Sequence, residues 1–171
     1  MKFKKIICWP PLLGGVGAGV TIAILAYITF QSILSGSNYG LWIVATFGST
    51  VVLVFGYPEH EFAQPKNVLL GHLLCTLVGI IFVTLFKISQ DRSVFFLAIG
   101  LAVGIAVMLM MALKITHPPA GGNTIIVMIA QNSFQFLIFP VMVGAITIII
   151  GGVIYNRFIL KKKIPSEVVI V

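Results

Sequence analysis

The sequence predicts an all-α integral membrane protein made of two three-segment repeats, each with two long transmembrane helices and one short, broken half-helix segment. Three observations carry this prediction. Hydrophobic residues fill 59% of the 171 positions and charged residues only 9%, far from the roughly 45–50% and 25% typical of soluble domains. A soluble chain of this size has no interior large enough for that apolar surface, so lipid is its solvent. Four apolar stretches, 12–34, 67–86, 94–113 and 136–160, have the ~20 residues that cross a hydrocarbon core as a helix. Finally, Gly48-Ser49-Thr50-Val51-Val52-Leu53-Val54 and Gly122-Asn123-Thr124-Ile125-Ile126-Val127-Met128 read as copies of each other, at matching places in the two halves.

The first long helix follows Lys2, Lys4 and Lys5. No small-residue cleavage pattern closes its apolar run, which predicts a retained helix rather than a removed signal. Next comes a short segment, 41–56, with Gly48 near its centre and Pro58 and Pro65 beyond it. The second and third long helices follow, and then the second short segment, 120–130, entered through Pro118 and Pro119. The connections 35–40 and 131–135 are polar, uncharged and rich in turn formers. The last helix ends at Arg157, Lys161, Lys162 and Lys163.

The glycines extend the repeat. Gly15 and Gly19 match Gly100 and Gly104, each pair four apart, and Gly71 and Gly79 match Gly144 and Gly152, each pair eight apart. Repeat one thus covers about 10–86 and repeat two about 94–160 of a single transmembrane domain, 1–171. If each short segment crosses the membrane, a repeat has three crossings and the second copy inserts upside down; if it re-enters, the copies are parallel. Six crossings need no U-turn at Gly48 or Gly122, which favours the inverted form. Either way both tails share one side, and seven of the eleven Lys and Arg residues there assign it to the cytoplasm. With no Arg- and Ser-rich transit peptide, a bacterial inner membrane is the expected location.

The net charge of +7 is a property of these tails, and no basic face interleaved with aromatics exists to hold nucleic acid. Cys8 and Cys75 form neither a disulfide nor a metal pattern. All four acids, Glu59, Glu61, Asp91 and Glu167, fall in loops or tails, which argues against a cation pathway built on carboxylates. No nucleotide, metalloprotease or hydrolase motif is present, so neither enzyme activity nor a cofactor or metal is expected.

The candidate binding residues lie at the two short segments. In Thr116-His117-Pro118-Pro119-Ala120-Gly121-Gly122-Asn123-Thr124 two prolines force extended backbone and two glycines leave it uncovered. Such backbone survives at membrane depth only inside protein or beside a watery cavity. A half-helix starting at Gly121, Gly122, Asn123 and Thr124, and a second starting at Gly48, Ser49 and Thr50, would point free amides at a small anion near mid-membrane. His117 either meets that anion and shuttles a proton or donates to an orphan carbonyl beside the prolines. His72, one turn inside a span, and Asn67 are supporting polar groups, His72 serving a bundle-facing or interhelical hydrogen-bonding role. His60, between Glu59 and Glu61, is expected in solvent. Gly15/Gly19 and Gly100/Gly104 permit close helix approach, within one chain or, as the competing reading, in a homo-oligomer.

His117-Pro118-Pro119 with its following glycines, Phe47-Gly48-Ser49-Thr50, Ala63-Gln64-Pro65-Lys66-Asn67 and Gly71-His72 together resemble the HPP family of small integral membrane proteins, from about residue 10 to 160. The resemblance implies a multi-span membrane protein and, because plastid and cyanobacterial members are associated with nitrite transport, a channel or secondary transporter for nitrite or a similar small anion. Ala120-Gly121-Gly122-Asn123-Thr124 departs from the family's usual Gly-Gly-Ala-Thr continuation. A channel for a small neutral solute and a non-transporting membrane scaffold are the alternatives.

Overall fold

The computed structural model describes residues 9–34, 43–84 and 94–159. Lys2, Lys4, Lys5, Cys8, Lys161, Lys162, Lys163, Glu167, Lys87, Asp91, Arg92 and the connection 35–40 lie outside the described residues. Six α-helices carry the fold among the described residues: α1 (Trp9–Leu34), α2 (Ile43–Val51), α3 (Pro65–Thr84), α4 (Phe95–Ala112), α5 (Gly121–Ala130) and α6 (Val143–Ile154). Wider π turns prolong α2 over Val52–Gly56, and others precede and follow α6 over Leu137–Met142 and Tyr155–Ile159. No strand occurs among the described residues. Among the described residues, four helical stretches, Pro11–Gln31, Pro65–Thr84, Phe95–Ala112 and Leu137–Ile159, are long and apolar enough to cross a membrane.

The burial pattern is that of a protein in lipid. Leu12, Val16, Val20, Ile24 and Tyr27 form an exposed apolar stripe on α1, as do Phe96, Leu97, Leu101, Met108 and Met111 on α4. The interior instead holds polar side chains, including Thr50, His72, Thr76, His117, Asn123, Thr124 and Asn156. Two apolar cores flank them. One joins α1, α2 and α6 to α3 and α5 through Leu25, Phe47, Phe55, Ile80, Val127 and Ile148; the other joins α3, α4 and α5 through Cys75, Val78, Phe82, Ala106, Met110 and Met128.

Glycines set the helix directions. A Cβ added at Gly144 would overlap the Phe47 ring and one at Gly152 the Val54 side chain, so α2 lies in a groove on α6 and runs the same way. A Cβ at Gly71 would sit 2.8 Å from the His117 Cβ, and one at Gly79 3.0 Å from the Thr124 carbonyl oxygen, so α5 runs with α3. By contrast, Gly17 meets Phe55 and Tyr155 while Thr21 meets Gly151, which sets α1 antiparallel to α2 and α6. Cys75 Sγ lies 3.5 Å from Met110 Sδ and Asn67 Nδ2 3.2 Å from the Thr116 carbonyl, which sets α4 antiparallel to α3. Thr46 meets Gly122 and Thr50 meets His117, which sets α2 antiparallel to α5, so successive helices alternate in direction and neither short helix turns back on itself. The start of α1 and the end of α6 share one end of the bundle.

Three expectations change. The first short segment does not begin at Gly48: it is helical from Ile43 onward, because the run 43–47 is apolar and free of breakers, so Gly48 sits mid-helix. Gly15, Gly19, Gly100 and Gly104 mediate no packing among the described residues, since a Cβ on any of them meets nothing there within 4 Å, and on α1 Gly14 and Gly17 make close contacts instead. The last span is not one straight helix, since Phe139 leaves helical geometry (φ −126°, ψ 118°) just before Pro140, whose ring excludes the preceding residue from α conformation.

Candidate functional site

Thr50 is the hub of the buried cluster. It lies one turn after Thr46 on α2, and its hydroxyl reaches back to the Thr46 carbonyl at 3.0 Å. The same oxygen is 2.9 Å from Nε2 of His72 and 3.0 Å from Nε2 of His117. His72 is the eighth of the 20 residues of α3, roughly 10 Å along the helix from its start. His117 occupies extended backbone (φ −136°, ψ 95°), the conformation that a following proline imposes. It reaches the cluster because Gly71 has no side chain in the way. The two imidazole rings lie 5.0 Å apart, and the edge of Phe47 covers His72 at another 5.0 Å.

Counting donors assigns the protons. The Phe62 carbonyl, 2.7 Å from His117 Nδ1, can only accept, so Nδ1 carries hydrogen and Nε2 of a neutral His117 is bare. The Asn123 amide nitrogen stands 3.0 Å from His72 Nδ1 and donates at 3.0 Å to Thr76 Oγ1. In this orientation of the Asn123 amide, His72 Nδ1 accepts and Nε2 keeps the hydrogen, which it donates to Thr50. The opposite His72 tautomer would face the single Thr50 proton with two bare nitrogens. In the assigned arrangement that proton still has two acceptors, the Thr46 carbonyl and His117 Nε2. A proton added at His117 Nε2 would remove the competition: both rings would then donate to Thr50, and Thr50 to Thr46.

The structure brings His72, His117, Thr50 and Asn123 into one network and ties Asn67 to it through the Thr116 carbonyl. Thr124 points away, its hydroxyl donating at 2.9 Å to the Cys75 carbonyl. Ser49 is exposed on α2. A Cβ on Gly48 or Gly121 meets nothing within 4 Å, whereas one on Gly122 would lie 2.9 Å from the Thr46 methyl. Exposed His60 accepts from the Phe62 amide at 3.2 Å and caps the short turn Glu61–Ala63.

Several of the amides that a backbone anion cradle would use are already bonded within the protein. Ser49 and Thr50 lie inside a continuous helix, where amides are already bonded. At the start of α5, Pro118 and Pro119 have no N–H, while the Ala120 amide bonds to the His117 carbonyl and the Gly121 amide to the Pro118 and Pro119 carbonyls. The polar chemistry of the site resides in side chains. Thr76 and Thr46 were legible participants, since each lies four residues from a hub residue and so on the same helix face. The Phe62 carbonyl carried no sequence signal, because it belongs to a loop brought in by folding. Among the described residues, no group of three or more His, Cys, Asp or Glu side chains gathers to hold a metal.

Comparison with known proteins agrees with the membrane architecture. The chain is 30% identical over 149 residues to one transmembrane protein of Dictyostelium discoideum, covering 84% of this chain and 50% of that protein. It is 32% identical over 151 residues to another from the same organism, covering 85% of this chain and 47% of that one. The chain spans about half the length of these relatives. No solved structure matches it. The model of the HPP transmembrane region matches residues 6–165, and the chain belongs to the HPP family of membrane proteins.

Proposed function

We propose that the protein is a channel or secondary transporter for a small anion, nitrite first, that passes with a proton handled by His72 and His117. One observation carries the reading: two buried imidazoles share the Thr50 hydroxyl at 2.9 and 3.0 Å in helices that contain no acid. A buried imidazolium needs a counter-charge, because an unpaired ion in low dielectric costs several kcal/mol. With no carboxylate in the spans, an incoming anion is the available partner. The cluster is fully buried, so passage requires α2 and α5 to part from α3 in a second conformation.

The alternation of helix directions supports an inverted repeat, and exchanging α1, α2, α3 with α4, α5, α6 preserves the main neighbour pairs: α2 on α6 with α5 on α3, and α1 on α6 with α4 on α3. The side from which both tails leave is proposed to be cytoplasmic, from the basic residues on them. The bacterial inner membrane is proposed on sequence grounds alone. Enzyme chemistry is not part of the reading.

A small neutral solute is the second reading, favoured by the occupied amides at both short helices and by Asn123 Oδ1, a buried acceptor without a hydrogen-bond partner. Flux into proteoliposomes separates the two. Nitrite uptake accelerated by an inward proton gradient, exceeding nitrate, formate and a neutral solute such as urea, is the expected result. Urea flux indifferent to the gradient would favour the second reading, and no flux of any solute would favour a scaffold. Asn123→Asp sharpens the test: a carboxylate beside His72 supplies an internal counter-ion, and anion flux is expected to fall at least tenfold in folded protein.

A further inference from the structure

A second polar site lies apart from the histidines, where the loop before α3 meets the end of α6. Asn156, 3% exposed, donates through Nδ2 to the Val54 carbonyl at 3.1 Å and to the Gly152 carbonyl at 2.9 Å. These bonds fix the amide, since a flip would press its oxygen against two carbonyl oxygens. Gln64 is fixed in the same way, donating through Nε2 to the Pro58 and His60 carbonyls at 3.2 and 3.3 Å. Both amides have spent their donors, and the oxygens left over, Asn156 Oδ1 and Gln64 Oε1, are buried with no hydrogen-bond partner.

The two residues line one pocket of about 20 Å³, lined otherwise by apolar groups, among them Val54, Pro58, Pro65 and Ile149. A water molecule needs about 10–15 Å³ of such space and two or more polar partners. A buried acceptor left unmet costs about as much as a lost hydrogen bond. Two residues with fixed, unpartnered acceptors beside a water-sized space, with no free side-chain donor and no acid among the lining residues, suit a guest that donates to them.

We propose that this cavity is a binding site for one small, donor-rich guest, water or an ammonium-class ion, bridging Gln64 Oε1 and Asn156 Oδ1. The site stands independently of the anion reading. Its consequence is mechanical. Gln64 belongs to the loop whose Phe62 carbonyl holds His117, so the guest ties that loop to α6 and steadies the acceptor that sets the His117 tautomer.

The test uses the full chain in nanodiscs. A high-resolution map in ammonium-free buffer is expected to contain one density peak within hydrogen-bonding reach of both oxygens, which identifies water. Thermal unfolding is then followed against ammonium chloride, with potassium chloride at equal ionic strength as control. A saturable rise in unfolding temperature specific to ammonium, and lost in Gln64→Leu, identifies ammonium as the guest. Either result supports the site, and the map does so even if Gln64→Leu fails to fold. No bridging density together with identical responses to the two salts would overturn the proposal.

Discussion

The two short helices carry nearly the same glycine-x-threonine core and use it in opposite ways. On α2, Thr50 is a hub between two histidines from other elements, while Gly48 borders open space. On α5, Thr124 bonds a backbone carbonyl of α3, while Gly122 lets the helix approach Thr46 closely. One threonine therefore holds the polar network together and the other holds two helices together. A repeated motif marks an equivalent position in the fold, and the partner helix decides whether that position does chemistry or packing.

The sharpest way to break this comparison is to replace the hydroxyl by a methyl group at each threonine. Thr50→Val leaves His72 Nε2–H without its acceptor and His117 Nε2 without its donor, both fully buried. At about 1–3 kcal/mol for each orphaned group, a loss of about 2–6 kcal/mol in unfolding free energy is expected, with solute flux reduced at least tenfold. Denaturant unfolding and proteoliposome flux read the two effects.

Next in size is Gly144→Ala, whose methyl would occupy the place of the Phe47 ring. Phe47 is completely buried and its edge rests on His72, so it cannot yield without disturbing the hub. Overpacking of this kind costs about 1–3 kcal/mol. The expected outcome is a lower unfolding midpoint accompanied by altered flux, which a simple packing defect remote from the site would not produce.

Thr124→Val is expected to be milder. It removes one hydrogen bond to a carbonyl that has a helical partner of its own, a change of about 0.5–1.5 kcal/mol, and flux per folded molecule should stay within about twofold of the parent by this same measure. A Thr124→Val loss as large as that of Thr50→Val would erase the distinction between the helices. The smallest effect is expected at Gly48→Ala. Nothing lies within 4 Å of the added Cβ, and replacing a mid-helix glycine gains about 0.5–1 kcal/mol. A marked destabilisation measured there would mean that α2 does start at Gly48 and not at Ile43.

Much of the architecture was legible in residue order. The four apolar stretches are the four helices able to span, because a bilayer demands continuous runs of helix length. Gly71, Gly79, Gly144 and Gly152, read from the sequence only as repeat positions, line the two grooves, because small residues are what allow a helix backbone to come close. The His-Pro-Pro motif marked where α5 begins, since prolines lacking N–H are tolerated at a helix start. Gly15, Gly19, Gly100 and Gly104 show the limit of such reading: the same spacing that packs helices on α3 and α6 faces outward on α1 and α4, and spacing alone carries no information about which side of a helix has a neighbour.

What the sequence determined by itself is the class of the molecule, the number and approximate extent of its long helices, and the polar residues that cannot face lipid. Hydrophobicity and chain geometry suffice for these, because each is a property of one segment and its solvent. What only tertiary structure decided is the wiring of those polar residues. Thr50, His72 and His117 lie on three different elements and Phe62 in a loop, and the tautomers that join them depend on donors and acceptors tens of residues away. Hydrogen bonds act over about 3 Å, so their partners are set by the packing of helices around α3.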